Sequence, residues 1–328
     1  MAVVYRLVRP DEQDTVLHMW GDASYQAARL ATDPAPSTHT WIAVAPDGTI
    51  LSVLHYLVTL RRDIYGRPQQ VGMIDSVVTR PEARRQGHAG RLVVLAQDAL
   101  QTDGSDWALL VATDEGRPLY ERYGWQCYGE PWRRGTLTGA VPQADSRYVV
   151  RPYDPLEDPR RWDQIAAVDL AFNRTRPLTV IRDTQYWHTY AAWRISNWIK
   201  DEGLVIFGAF RGEADPRLCG FAFAEFYHLG FQVRDIGVLP EEADAALPLL
   251  TAVAAEAGAR GLPLAGRMYL PHEPAIDAAL ERLFGPTLHA GKNVGHLMAR
   301  TIGADCTAEH LDTLFNAPAA HFSTIDLF

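Results

Sequence analysis

The stretch Arg84-Arg85-Gln86-Gly87-His88-Ala89 constrains this chain more than any other, because of what stands on either side of it. A mostly apolar run, Met73 to Val78, precedes it and closes with Thr79-Arg80-Pro81-Glu82. After Gly90 and Arg91 the apolar residues at 92, 95, 96 and 99 recur at helical spacing. The pattern predicts a strand at 71–78, a tight turn and a helix over 87–101. Such a turn aims several unpaired backbone N–H groups and the positive end of a helix dipole at one spot. That spot suits phosphate. Arg84 and Arg85 add charge, and Gly87 and Ala89 keep bulk away from the backbone.

Length and composition fit an enzyme with about two domains. The chain has 328 residues, 47% hydrophobic and 22% charged. It has no apolar run long enough for a membrane span, and its N-terminus lacks a signal-peptide profile, so a cytoplasmic protein with no membrane partner is expected. Three widely spaced cysteines, Cys127, Cys219 and Cys306, suggest neither a disulfide framework nor a zinc site. The eleven histidines show no ligand spacing, and no metal is expected. A net charge of −9 argues against nucleic acid as a partner. It is compatible with an acidic funnel for cationic amines, and equally with simple solubility.

Residues 3–8 alternate as a strand and lead through Arg9-Pro10-Asp11 into a helix. Segments 41–45 and 50–58 flank the turn Pro46-Asp47-Gly48 as a hairpin. The strand at 71–78, its helix and the strand Trp107–Val111 form a parallel crossover. Between Thr138 and Asp154 the composition loosens, and the boundary is set there: a first domain at 1–145, a second at 146–303, and a C-terminal helix and tail at 304–328. The second half repeats the first. Asp235-Ile236-Gly237-Val238 echoes Asp75-Ser76-Val77-Val78, and Leu280-Glu281-Arg282-Leu283-Phe284-Gly285 echoes Tyr120-Glu121-Arg122-Tyr123-Gly124. Asp75 stands 46 residues before Glu121, and Asp235 stands 46 before Glu281. Two anchors at equal spacing indicate a tandem repeat.

The loop at 84–89, its strand and helix, and the following segment with Tyr120, Gly124 and Trp125 resemble the GNAT N-acetyltransferase superfamily over about residues 3 to 135. That family's pyrophosphate loop reads Gln/Arg-x-x-Gly-x-Gly/Ala, which 84–89 match at each specified position. The resemblance implies an α+β fold, two tandem GNAT units each with a mixed central sheet flanked by helices. It implies acetyl-CoA as co-substrate and a small-molecule amine or peptide as acceptor. The pantetheine arm would run along Val77-Val78-Thr79, with the Val78 N–H as the expected donor to the thioester carbonyl. Arg84, Arg85, Gln86, Gly87, His88, Ala89 and Gly90 would hold the pyrophosphate. Tyr120 stands where the family's tyrosine protonates the leaving sulfur; packing in the core is the alternative. Thr113 and Asp114 depart from the Asn that family members often carry there.

Two candidates remain for accepting the amine's proton. Asp75 lies on the central strand, where a buried carboxylate could serve as base. The matching Asp235 favours a structural role instead. The apolar, aromatic chain end resembles that of the enhanced-intracellular-survival acetyltransferases, where the terminal carboxylate lies in the active site. This makes Phe328 the other candidate, with plain docking of the tail as the alternative. That group's third, sterol-carrier-like domain is not expected here, since about 28 residues follow Arg300.

In the second copy, Glu242-Ala243-Asp244-Ala245-Ala246 replaces the Arg/Gly loop and Leu280 the tyrosine, so cofactor binding is expected to be lost there. The aromatic run Tyr186-Trp187-His188-Tyr190-Trp193-Trp198 has helical spacing and reads as a core stripe bordering the acceptor cleft. An intact loop also fits a non-catalytic coenzyme-A-binding sensor or interaction scaffold; an intact tyrosine favours the enzyme.

Overall fold

A computed structural model of the chain describes residues 2–142, 147–212 and 217–326. The first half runs β1 (Val4–Leu7), α1 (Gln13–Trp20), α2 (Ala23–Leu30), α3 (Pro36–His39), β2 (Thr40–Val44), β3 (Ile50–Arg62), β4 (Pro68–Thr79), α4 (His88–Thr102), β5 (Trp107–Val111), α5 (Arg117–Arg122), β6 (Gln126–Cys127) and β7 (Glu130–Thr136). The second half repeats the order: β8 (Val149–Pro152), α6 (Arg160–Asn173), α7 (Thr184–Tyr186), α8 (Ala192–Asp201), β9 (Val205–Arg211), β10 (Arg217–Tyr227), β11 (Gly230–Val238), α9 (Ala246–Ala259), β12 (Ala265–Met268), α10 (Pro274–Phe284), β13 (His289–Asn293) and β14 (Leu297–Thr301). The last helix, α11 (Ala308–Asn316), follows. The fold is α+β, two mixed sheets flanked by helices. Among the described residues no helix is long and apolar enough to cross a membrane.

Each half has an antiparallel meander followed by one parallel crossover. In the first, Leu92, Val93, Ala96 and Leu100 of α4 pack on Leu54, Tyr56, Ile74, Ala108 and Leu110 of the sheet. In the second, Leu249, Leu250 and Val253 of α9 pack on Ala222, Val233 and Ile236. Of the α4 residues that set the helical period, Leu92 and Ala96 are fully buried against the sheet, while Leu95 and Ala99 are only partly buried at its margin.

Chain order and sheet membership part company at the last strand of each half. The strand orders are β1-β2-β3-β4-β5-β14-β6 and β13-β7-β12-β11-β10-β9-β8. β7 leaves the first half and inserts between β12 and β13, while β14 returns to insert between β5 and β6. The expected boundary at 145/146 lies outside the described residues. The described strand before it, β7, belongs to the second sheet, so residues 1–145 do not form a self-contained sheet. Residues 304–328 are not an appendage either. Phe315 stacks on Tyr128 at 4.1 Å and meets Trp107 edge-on at 5.6 Å, so α11 covers one face of the first sheet.

A buried charge cluster ties the C-terminal tail to the second half. Arg182 pairs with Asp169, Asp235 and Asp326 at 2.7, 2.9 and 2.9 Å, and Tyr186 donates to Asp326 at 2.5 Å. Arg61 and Arg62 at the end of β3 donate to the Leu178 and Val180 carbonyl oxygens of the second half.

Candidate active site

Strands β4 and β5 pair in parallel only from Val71–Met73 to Trp107–Leu109, and then diverge. Beyond Met73 the backbone of β4 faces an opening of about 920 Å³. Asp75, Val77, Val78, Thr79, Arg84, Arg85, Gly87, His88, Ala89, Gly90 and Tyr120 all line this one cavity. Gln86 does not. Its side chain turns back to donate to the Glu82 carbonyl at 3.0 Å. Thr113, Glu115 and Arg122 line the cavity as well. Arg122 adds a third arginine that the loop motif did not point to.

The turn from β4 into α4 requires its glycine. Gly87 has φ +86°, and a Cβ there would meet nothing within 4 Å, so backbone conformation, not crowding, selects glycine. Gly90 is different: a Cβ would fall on the Tyr123 ring, which explains Tyr123 as a packing residue. His88 is buried and shares a 2.9 Å hydrogen bond with the Tyr5 hydroxyl through Nδ1, while its buried Nε2 has no partner among the described residues. Arg84 and Arg85 form no ion pair among the described residues. An opening that carries two guanidinium groups without a carboxylate partner, a helix N-terminus and an orphaned buried imidazole nitrogen fits a pyrophosphate.

β4 is bulged where it passes the cavity. The register to β3 slips between the pairs His55–Asp75 and Val53–Val78. Ser76 sits at φ +51°, a strained value for serine. Two side chains hold it: Trp20 donates to the Ser76 carbonyl at 2.8 Å, and Arg29 donates to its hydroxyl at 2.6 Å. The Arg80 N–H bonds the Leu51 carbonyl on β3 at 2.9 Å. Alternation along the strand then turns the Val78 N–H toward β3, and the N–H groups of Val77 and Thr79 toward the cavity. This corrects the expectation for Val78, because the bulge decides which amides face outward.

Tyr120 is 8% exposed and lines the cavity, and its hydroxyl has no hydrogen-bond partner among the described residues. Burial pushes its phenol up to about 12, and the negative charge of Asp75 acts in the same direction. Asp75 itself is no isolated carboxyl. It is ion-paired with the buried Arg29 and accepts from Ser76 at 3.1 Å. Its counterpart Asp235, fully buried, likewise holds an arginine, Arg182, and accepts from Ser323 at 2.9 Å. Both halves thus use this aspartate to clamp an arginine, and the sequence expectation of Asp75 as base meets a geometry that favours its structural alternative. Neither Trp20 nor Arg29 carried any sequence signal of this role.

The second half meets the first through α8, which packs on α2. The aromatic run is helical, with a π-turn at Trp187–Ala191 between α7 and α8. Trp187, Tyr190 and Trp198 are buried as a core stripe. Burial raises the Tyr190 hydroxyl above its usual range, with Arg194 opposing and Asp326 and Asp75 adding to it. Arg194 donates to the Tyr25 hydroxyl at 2.5 Å, and Trp193 packs on Tyr25 at 5.1 Å, joining α8 to α2. Phe328 lies outside the described residues. The tail leading to it is buried through Asp326.

In the second half β11 and β12 diverge in the same way after Val233 and Met268. The helix proper begins at Ala246 after a 3₁₀ turn at Pro240–Ala245. Glu242 accepts from Tyr148 at 2.6 Å and Arg211 at 2.5 Å. These contacts, Tyr148 first, hold its carboxyl below the usual range. A smaller hollow of about 330 Å³ lies at the end of β11, bordered by Val238, Pro240, Ala243, Phe172, Arg176 and Glu273.

Residues 4–128 match the family model described as an acetyltransferase (GNAT) domain. No curated protein matches the chain in sequence. Among solved structures, an Enterococcus faecalis protein of unknown function described as a probable N-acyltransferase superposes at TM-score 0.71, with 14% identity over 92% of this chain and 73% of that one. Eis1 from Mycobacterium abscessus gives 0.59 at 13% identity, covering 92% and 74%. A tandem GNAT protein from the clavulanic acid biosynthesis pathway gives 0.54 at 14%, covering 93% and 100%. At these identities the likeness is one of fold. Residues 4–128 match a GNAT domain, and the two halves together have the tandem GNAT fold, similar in arrangement to Eis1.

Proposed function

We propose that this chain is an acetyl-CoA-dependent N-acetyltransferase that moves an acetyl group to a primary amine by direct attack on the thioester. The observation that carries the reading is the continuity of one cavity: the open edge of β4, the Gly87 turn and Tyr120 all border it. Bound acetyl-CoA would supply an activated acetyl group and a thiol leaving group. The N–H groups of Val77 and Thr79 would hold the pantetheine arm as an added strand, and the one nearest the carbonyl would polarise it. Arg84, Arg85 and Arg122, with the N-terminus of α4 and His88, would bind the phosphates.

Tyr120 would donate its proton or a hydrogen bond to the departing sulfur. A free alkylamine has a pKa near ~10.4, so the acceptor must lose a proton before it attacks. Asp75 suits a different role. With Arg29 it holds the bulge and places negative charge beside Tyr120. The Phe328 carboxylate, two residues beyond the anchored Asp326, is the expected base. The second half shapes the acceptor wall through Tyr190 and Trp193 and binds no coenzyme of its own, its loop being engaged by Tyr148 and Arg211.

No feature of the site favours a non-catalytic sensor or scaffold, which would leave the Tyr120 hydroxyl without a purpose. The test is thiol release from acetyl-CoA across a panel of polyamines, aminoglycosides, amino acids and peptide N-termini, with product mass as confirmation. Turnover with at least one amine supports the enzyme. Tight binding without turnover across the panel supports the sensor.

A further inference from the structure

The two sheets differ sharply on one face. In the first sheet, the face opposite α4 presents Trp107, Leu109, Leu297 and Ala299 and is covered by α11 and Phe322. The equivalent face of the second sheet presents Arg267 and Tyr269 where the first has Trp107 and Leu109, and Trp132 and Arg134 on the inserted strand. Arg134, Arg267 and His289 are exposed there.

The register makes this costly. His289 pairs directly with Arg134, and Arg134 with Arg267, so three basic side chains stand abreast on adjacent strands. Like charges directly opposite one another destabilise a sheet. No carboxylate offsets them: neither arginine has an ion pair among the described residues, whereas the neighbouring Arg234 is paired with Glu225 at 2.8 Å. Instead each guanidinium lies over a ring, Arg134 over Trp132 at 5.2 Å and Arg267 over Tyr269 at 4.9 Å. The rings hold the two planar forks side by side with their N–H edges free. Arg134, Arg267, His289, Thr136 and Tyr227 border a hollow of about 400 Å³.

We infer that this face is a second ligand site, taking a small multivalent oxyanion such as a diphosphate or a tricarboxylate across the Arg134–Arg267 pair. Two adjacent forks match two anionic groups, each bound bidentately. The basic residues are confined to one corner of one sheet in a chain of net charge −9, which suits a compact anion better than an extended nucleic acid. The site is separate from the coenzyme cavity and does not depend on the acetyl-transfer reading.

Calorimetry with pyrophosphate and with citrate, at about 0.15 M salt, tests it on three proteins: the full chain, Arg134→Gln/Arg267→Gln, and Arg84→Gln/Arg85→Gln. The inference expects at least one of the anions to bind the Arg84/Arg85 variant, and the Arg134/Arg267 variant to lose that site by tenfold or more while binding acetyl-CoA as the full chain does. Which anion binds tells phosphate from carboxylate recognition. The Arg134→Gln/Arg267→Gln protein should melt no lower than the parent, because a like-charge contact is removed. Should it fail to fold, Arg134→Lys/Arg267→Lys keeps charge and loses the forks, with reduced affinity expected. Anion binding unchanged in the sheet variant overturns the inference. So does binding of a labelled oligonucleotide that the sheet variant alone loses while neither small anion binds.

Discussion

Replacing Tyr120 by phenylalanine removes one oxygen from a ring that is 8% exposed and meets Trp125 edge-on at 6.2 Å. Its effect can be worked out from the surroundings. Burial, aided by Asp75, pushes the phenol up to about 12, so it keeps its proton at any pH at which the protein is handled. It is also a weaker acid than a thiol near ~8.5, and complete transfer to a thiolate would run uphill by about 5 kcal/mol. A hydrogen bond donated to the developing thiolate avoids that cost and is worth ~1.5–3 kcal/mol. Tyr120→Phe should therefore lower kcat by roughly 10- to 150-fold.

Acetyl-CoA affinity should hold, and stability should stay within ~0.5 kcal/mol, since the hydroxyl has no partner among the described residues. The sign of the pH dependence follows from the raised value: no falling limb due to Tyr120 appears below about pH 10, and the variant scales the kcat profile without reshaping it. Thiol release with the best amine of the panel, followed from pH 6 to 10, measures both. A kcat within twofold of the parent, or an alkaline limb that vanishes in the variant, would refute the reasoning.

Gly87→Ala should cost about 1–2 kcal/mol through backbone strain alone, seen as a lower melting temperature, and should weaken acetyl-CoA binding in calorimetry. Asp169 titrates near 6 in the folded chain instead of 3.8, chiefly through burial, with Arg182 opposing and Asp235 and Asp326 adding. The stability from its native-state protonation is complete below about pH 3.8 and is lost as pH rises through about 6. Asp169→Asn should accordingly raise the urea midpoint relative to the parent at pH 8, with the difference shrinking by pH 5; an equal loss at both would contradict this. Phe315→Ala, which empties the stack on Tyr128, should destabilise by ~3–5 kcal/mol in chemical denaturation, because α11 covers the first sheet.

The strand, turn and helix around Gly87 were legible in the sequence because helical and strand periods differ and the motif is local. The tandem repeat was legible for the same reason: Asp75 and Asp235 keep their spacing to the helix that follows. The exchange of β7 and β14 was not. Periodicity reports a strand's two faces but not which sheet receives it, and each sheet offers the same gap between its crossover strand and its edge. Nor could the sequence decide the part played by Asp75. A carboxylate on a central strand reads alike as base or as clamp, and its partner Arg29 lies 46 residues away on a helix. The Val78 expectation failed by one residue because a bulge is a property of strand pairing, held here by Trp20 and Arg29. The degenerate second loop was legible from its carboxylates, whose partners Tyr148 and Arg211 only the fold reveals.

The central claim is one live coenzyme site, in the first half, held by the turn after β4. Titrating acetyl-CoA into the full chain by calorimetry tests it most directly, with Arg84→Gln/Arg85→Gln alongside. The account predicts one site per chain, weakened at least tenfold in the variant. Two equivalent sites, or one that the variant leaves untouched, would contradict it.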